Sequence, residues 1–136
     1  MYFKRAGIIS KELKPLFPSY VFVESDVPGD EFLEMTNQLI RSLQDIIRLV
    51  KYSNTEIPLR ESERLMLLSL SNGNHCIESS SGYMEGDRIH IIEGALKGRE
   101  SIIRKVDRHK RQAWIDIEFM GDIRRVNVAL EIIWKV

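Results

Sequence analysis

Gly94-Ala95-Leu96-Lys97-Gly98 decides the fold of this 136-residue chain, and it begins eight residues after Gly86-Asp87. Its two glycines permit the positive φ angles or close backbone approach that a tight loop between strands requires. Downstream, every second residue from Ala113 to Phe119 is apolar, which is typical of a strand with one face in water. The pattern predicts a small β-barrel of five short strands, at 88–92, 102–106, 113–119, 123–130 and 132–134.

The upstream part of the chain predicts a mixture of helices and strands. The stretch Pro15-Leu16-Phe17-Pro18-Ser19-Tyr20-Val21-Phe22-Val23 is aromatic and β-branched, and its prolines confine regular strand pairing to the part after Ser19. Apolar residues recur at helical spacing over 31–44 and again over 60–70, with strand composition at 46–52 between them. We therefore predict an α+β chain with an N-terminal domain at 1–75, a polar linker at 76–83 and the barrel at 84–136.

Composition and single residue types exclude several classes of protein. Lys and Arg number 20, as do Asp and Glu, so the net charge of zero does not identify a partner. Cys76 is the single cysteine, which excludes an internal disulfide, and with His75 it makes no set of metal ligands. We see no signal peptide and no segment able to span a bilayer, so we expect a cytoplasmic protein with no membrane partner.

The residues of known catalytic motifs are missing from the sequence. No serine lies in a Gly-x-Ser-x-Gly turn, and the loop at 94–98 lacks the Gly-Lys-Ser/Thr sequence that opens a helix in phosphate-binding loops. No pair of carboxylates stands out as an acid and a base. We therefore predict that the protein is not an enzyme and has no cofactor and no small-molecule substrate.

Local clusters of basic residues indicate a binding surface instead. Residues 104–111 hold five cations against Asp107 alone, and a hairpin that carries such residues exposes them to a ligand or simply to water. Trp114 is predicted to face outward, where it either stacks on an unpaired base or packs on the upstream domain. The candidate nucleic-acid-binding residues are Lys97, Arg99, Arg108, Lys110, Arg111, Trp114, Arg124 and Arg125.

Phe17, Tyr20 and Phe22 are the second set of candidates. Some of them belong to the core, but the rigid bend at Pro18 is expected to leave aromatic rings near the sheet surface. A pocket lined by aromatic side chains is a suitable groove for a helix of a partner protein.

Two segments of the chain, the aromatic stretch at 15–23 and the glycine-containing segment at 86–107, together resemble the NusG family of transcription elongation factors. The stretch at 15–23 is similar to the signature strand of its N-terminal domain, and the segment from Gly86-Asp87 to Val106-Asp107 is similar to its KOW motif. The resemblance implies a ferredoxin-like α/β sandwich that here lacks its first strand and helix, followed by a five-stranded SH3-like barrel. It also implies that Phe17, Tyr20 and Phe22 contact the clamp helices of RNA polymerase.

The basic loop and hairpin most resemble a specialised subgroup, the LoaP-type antiterminators, whose KOW domain binds an RNA hairpin. Arg99 occupies a place where some general members carry a Phe that contacts a ribosomal protein, which favours an anionic ligand here. The leading hypothesis is an antitermination factor that binds polymerase and RNA. The alternatives are a general elongation factor that couples to Rho or the ribosome, and a stand-alone KOW module that binds RNA.

Overall fold

The computed structural model describes residues 1–5, 8–18, 20, 22, 26, 29–42 and 59–136. These residues form two compact units, one of Met1–Pro18 with Glu61–Val136 and the other of Ser19–Arg60. The larger unit holds two sheets and a helix. The smaller unit holds helix α1, Gly29–Ser42, which confirms the helix predicted over 31–44.

The larger unit begins with a hairpin that the sequence did not predict. Strands β1, Tyr2–Arg5, and β2, Ile8–Lys11, pair antiparallel as a two-stranded sheet. Each strand is only four residues long and includes basic residues, so it lacks the apolar alternation from which strands are predicted. Helix α2, Glu61–Leu70, confirms the helix predicted over 60–70.

The remaining strands form an open five-stranded sheet in the order β4-β3-β7-β6-β5. Neighbouring strands are antiparallel except for β3 and β7, which are parallel. A short 3₁₀ helix at Glu100–Ile102 contacts both β4 and β6, which lie on different sides of the sheet order. The strands are β3, Ser80–Glu85; β4, Arg88–Glu93; β5, Ile103–Asp107; β6, Gln112–Phe119; and β7, Asp122–Lys135.

Three of the predicted strands are confirmed as β4, β5 and β6, but the last two are a single strand. The segments predicted at 123–130 and 132–134 are both parts of β7. This strand pairs with β6 as far as Ala129 and with β3 from Leu130 onward. One strand therefore changes partner midway, and no turn separates its two halves.

The linker predicted at 76–83 is wrong from Ser80 onward, because those residues form most of β3. The small residues among them are required by close packing, because a Cβ on Gly82 would lie 2.2 Å from the carbonyl oxygen of His90. A Cβ on Gly94 would lie 2.4 Å from the Cα of Ser80, and Gly94 has a φ of +102°. Small polar residues thus indicate close backbone contact at this position, whereas the sequence pattern suggested flexibility.

The predicted strands upstream fall largely outside the described residues. The segment at 46–52 lies wholly outside them, as do residues 19, 21 and 23 of the aromatic stretch. Its described residues 15–18, 20 and 22 are bends, a turn or irregular backbone. The predicted strand is therefore not seen in the described part of that stretch.

The apolar core of the larger unit lies on one face of β6 and β7. Ala113, Ile115, Ile117 and Phe119 are at most 3% exposed, as expected from their alternation. The Phe17 ring stacks on Phe119, and α2 contributes Leu70 together with the buried carboxylate of Glu63, which accepts a hydrogen bond from the Gly121 amide at 2.9 Å. Residues 1–18 and 61–75 therefore belong to the same compact unit as the sheet.

Candidate nucleic-acid interface

Trp114 lies on the face of β6 opposite the core. It alternates with the buried residues Ala113 and Ile115, and it pairs across the sheet with Asn127 of β7. Because directly paired residues in an antiparallel ladder extend to the same side, Trp114 and Asn127 share the outer face. The indole is half-buried, so one part of it is accessible to a ligand.

An irregularity in β5 brings two cations to the same face. The register between β5 and β6 shifts between Ile103 and Lys105, so that Ile103 pairs with Ile115 and Lys105 pairs with Trp114. At a regular strand position, neighbouring residues face opposite sides; a bulge changes this alternation. Arg104 and Lys105 are both exposed, and Arg104 reaches Asp116 on the outer face of β6.

Asp116 orients two guanidinium groups beside the tryptophan. Its carboxylate accepts hydrogen bonds from Arg125 Nε at 3.0 Å and from Arg104 Nε at 2.9 Å. These bonds, that of Arg125 foremost, lower the pKa of the Asp116 carboxyl below the ordinary value of 3.8 for an aspartate. The same contact raises the pKa of the Arg125 guanidinium. Arg104 Nη1 also donates to the Ser101 carbonyl at 2.9 Å, and Arg125 Nη2 lies 3.5 Å from Asp116 Oδ2. Both arginines are therefore held in place by more than one contact, and a guanidinium has five N–H donors, more than these contacts use.

We call this surface the Trp114 face. It carries three cations, one carboxylate, an amide and an indole, with Glu118 one pair further along the strand. Such a combination of aromatic ring and fixed positive charge suits a ligand with flat rings and phosphates. The Trp114 face consists of Arg104, Lys105, Trp114, Asp116, Arg125 and Asn127.

The hairpin between β5 and β6 holds three of the predicted residues next to this surface. The turn is closed by the Asp107 carboxylate, which accepts a hydrogen bond from the Lys110 amide at 3.0 Å. Arg108 and Lys110 are exposed, and Arg111, at a φ of +54°, lies with its Nε 3.7 Å from a Glu131 carboxylate oxygen. We call residues 108–111 the basic turn. Trp114 lies three residues beyond it on β6.

Lys97 and Arg99 lie in a different part of the unit, on the loop after β4. Lys97 is exposed, whereas Arg99 is half-buried and its guanidinium lies 3.4 Å from the sulfur of Met66 on α2. Leu96, the residue before Lys97, is fully buried, and its amide donates to Ser80 Oγ at 2.9 Å. The loop is thus anchored to the core, and Arg99 is directed toward α2 and not into the Trp114 face.

Arg124 and Arg125, both predicted to bind nucleic acid, lie on opposite faces of β7. Arg125 pairs with Asp116 on the outer face, but Arg124 pairs with Ile117 on the core side. The Arg124 guanidinium carbon lies 5.5 Å from the centre of the Phe119 ring, a cation–π arrangement. Consecutive residues of a regular strand face opposite sides, which separates the two arginines.

The residues predicted to contact polymerase are divided between the two units. Phe17 is only 7% exposed, with its ring centroid 4.4 Å from that of Phe119, so it lies in the core of the larger unit. Tyr20 and Phe22 belong to the smaller unit and are 39% and 43% exposed. Of the three, the structure therefore presents Tyr20 and Phe22 at the surface.

Four residues of the Trp114 face were missed as site residues by the sequence analysis: Arg104, Lys105, Asp116 and Asn127. The sequence did show Arg104 and Lys105 as part of a basic run, but strict alternation would place only one of them beside Trp114. The bulge that places both there depends on pairing with β6. Among the described residues, no set of three His, Cys, Asp or Glu side chains is arranged to hold a metal ion.

Comparison with protein families bears on the upstream part of the chain. Residues 3–68 match the family model NusG, described as transcription termination factor nusG. This match supports a NusG-family factor. It spans just under half of the chain, includes Phe17, Tyr20 and Phe22, and ends before the five-stranded sheet. No curated protein matches the chain.

In the part of the chain that the structure describes, no helix has the length and apolar character needed to cross a membrane.

Proposed function

We propose that this chain is a non-enzymatic transcription factor of the NusG type that binds RNA polymerase through its upstream segment and RNA through its sheet. The observation that carries the proposal is the match of residues 3–68 to the NusG model in a chain whose following sheet holds the Trp114 face. The first supports a role in transcription, and the second supplies the chemistry for a nucleic acid.

The RNA part of the proposal depends on fixed charge beside an aromatic ring. Lys105 lies opposite Trp114, and Asp116 holds the guanidinium groups of Arg104 and Arg125 on the same face. Cations neutralise phosphates, and an accessible indole stacks on an unpaired base. The basic turn extends this positive surface at one end. We therefore assign phosphate binding to the arginines and lysines of the Trp114 face and of the basic turn.

The polymerase part depends on the exposed aromatic residues of the matched segment. Tyr20 and Phe22 lie inside residues 3–68 and present about two fifths of their surface to solvent. We assign contact with the polymerase clamp helices to these two residues. Phe17 supports the core. The finer proposal is antitermination of the LoaP type, with the downstream sheet closing as an SH3-like KOW barrel.

A salt series tests the RNA part. Anisotropy of a labelled single-stranded RNA of about ten nucleotides and of a hairpin should show binding that weakens as salt rises. Lys105→Gln and Lys110→Gln should each reduce the slope of log affinity against log salt by about 0.7 to 1. Arg124→Gln is the matched control, because this arginine lies on the core side, and its slope should equal that of the unmodified protein.

Two results would reject the RNA part. One is the absence of binding to either RNA by a protein whose thermal unfolding is cooperative. The other is an equal loss of slope in Arg124→Gln and Lys105→Gln, since that would show no preference for the outer face. Binding to Rho or a ribosomal protein in the same assay format, without RNA binding, would favour the general elongation factor.

A pull-down on immobilised clamp helices of RNA polymerase tests the other part. Tyr20→Ala and Phe22→Ala should each reduce retention about tenfold, in line with the loss of an aromatic anchor at an interface. Leu13→Ala is the matched control, because Leu13 is also apolar and is 87% exposed. Full retention of both aromatic variants would remove polymerase contact from this surface.

A further inference from the structure

Three aromatic rings form a row across strands β4, β3 and β7 of the five-stranded sheet. The rings of Tyr83 and His90 are parallel within 16°, with centroids 4.7 Å apart, and those of Tyr83 and Trp134 are parallel within 8° at 4.9 Å. Tyr83 is on β3, between β4 and β7. His90 and Trp134 therefore cover opposite faces of the tyrosine, and Trp134 is the last ring of the row.

A bulge in β7 builds this row. Gly82 pairs with Ile132, but the next residue, Tyr83, pairs with Trp134, so Ile133 is an extra residue. In a regular strand Trp134 would lie on the same side as Ile132 and the fully buried Leu130. The extra residue turns the indole to the side of Tyr83, away from the core, where 44% of Trp134 remains exposed.

The side of Trp134 that faces away from Tyr83 lies beyond the end of β6. The ladder between β6 and β7 runs from Asp122 to Ala129, five residues before the tryptophan. Tyr83 covers one face of the indole, and 44% of Trp134 is exposed, beyond the part of β7 that pairs with β6. A flat ligand placed there would continue the row by one ring.

Positive charge lies beside this position. The Leu130 amide donates to the Arg111 carbonyl at 3.1 Å, and the Arg111 side chain lies 3.7 Å from Glu131, three residues before Trp134. Three residues of extended strand span about 10 Å. The basic turn is therefore close to the open side of the row, and Lys135 is exposed next to Trp134. The acidic Glu85 contacts His90 at 3.2 Å, at the opposite end of the row.

We propose that Trp134 stacks an unpaired nucleobase and that the basic turn holds the neighbouring phosphates. This inference rests on the proposed RNA binding and specifies its ligand as single-stranded, because the bases of a duplex are already stacked on each other. Aromatic rings supply stacking that tolerates any base, and cations next to them track the backbone. Arg125 and Asn127 of the Trp114 face lie earlier on β7 than Trp134. A single RNA chain that passes over both indoles would therefore meet the basic turn between them.

Tryptophan fluorescence tests the inference directly. The chain has two tryptophans, so Trp114→Phe leaves Trp134 as the single indole and keeps an aromatic ring at position 114. Titration with single-stranded RNA of about ten nucleotides should quench its emission through base stacking. An oligonucleotide of the same length whose central residues are abasic has the same phosphates and should leave the emission unchanged.

Affinity measurements provide the second readout. Trp134→Leu should weaken binding of single-stranded RNA about 5- to 150-fold, the range for loss of one base–aromatic stack. Its salt slope should stay that of the unmodified protein, since no phosphate contact is removed. Trp134→Phe should bind within about threefold of the unmodified protein. Ile123→Ala is the control for an exposed apolar residue of β7 outside the row, with 63% exposure, and should bind normally.

The outcomes separate this inference from the proposal on which it rests. Failure of the unmodified protein to bind any RNA rejects the RNA proposal and the inference with it. Binding by the unmodified protein, with equal affinity in Trp134→Leu and no quenching in Trp114→Phe, rejects the inference alone. A change in salt slope in Trp134→Leu would also contradict it, because it would show that the variant disturbs the basic turn.

Discussion

The ring of Phe17 stacks on the ring of Phe119, with centroids 4.4 Å apart and planes inclined by 22°. One residue comes from the segment that matches NusG, and the other ends strand β6 of the sheet. The two rings are 7% and 2% exposed, so the contact is part of the core. A residue that the family resemblance assigns to a partner is thus used inside the larger unit.

Removal of the Phe17 ring is expected to destabilise the protein. Phe17→Ala should lower the free energy of unfolding by about 3 kcal/mol, because it leaves a cavity against Phe119 and loses a stacked pair. Urea unfolding followed by circular dichroism measures this change. Tyr20→Ala, at a residue 39% exposed, is the control and should cost less than about 1 kcal/mol. Equal urea midpoints for the two variants would contradict the position of Phe17 in the core.

Gly94 is expected to tolerate no side chain. Gly94→Ala would place a Cβ 2.4 Å from the Cα of Ser80 at a φ of +102°, so the loop must move away from β3. We expect a loss of more than about 2 kcal/mol in thermal or urea unfolding, which combines overpacking with backbone strain.

Gly73 provides the matched control for that substitution. A Cβ on Gly73 would meet nothing within 4 Å, and the φ of Gly73 is not positive, so Gly73→Ala should keep the unmodified stability within about 0.5 kcal/mol. If Gly94→Ala were as stable as Gly73→Ala, the tight contact between the loop and β3 would be wrong.

Asp116 is expected to make the stability of the folded protein depend on pH in the acidic range. The pKa of its carboxyl is lowered in the folded protein, chiefly by the hydrogen bond from Arg125 and further by that from Arg104. A lowered pKa adds stability that is present above the ordinary value of 3.8 and is lost as the pH falls through the folded value. Unfolding temperatures measured from pH 6 to the lowest pH at which the protein stays soluble should therefore fall less steeply in Asp116→Asn.

Arg125→Gln tests the cause of that pH dependence. It removes the largest contribution to the shift and leaves the carboxylate in place, so its curve should lie between those of the unmodified protein and Asp116→Asn. A slope in Arg125→Gln identical to that of the unmodified protein would show that the arginine does not act on this carboxyl.

Prediction from sequence succeeded where one residue spacing decides the outcome. The apolar residues from Ala113 to Phe119 recur at every second position, so one face of β6 had to be buried and Trp114 had to lie on the other. The spacing of apolar residues likewise predicted both described helices. The site was only partly predictable, because position in a strand indicates the face but not the neighbours across the sheet.

By itself, the sequence determined which residues of β6 are buried and that Trp114 lies on the opposite face. It also determined that the turn at 108–111 is basic and that the loop at Gly94 can adopt a positive φ. These follow from local geometry, since a strand has a period of two and a glycine permits a positive φ. The tertiary structure alone decided that Phe17 is buried on Phe119, that Lys105 joins the Trp114 face and that Trp134 completes the aromatic row. Each of these three depends on strand register or on a contact between distant segments, and a single bulge changes which face a side chain occupies.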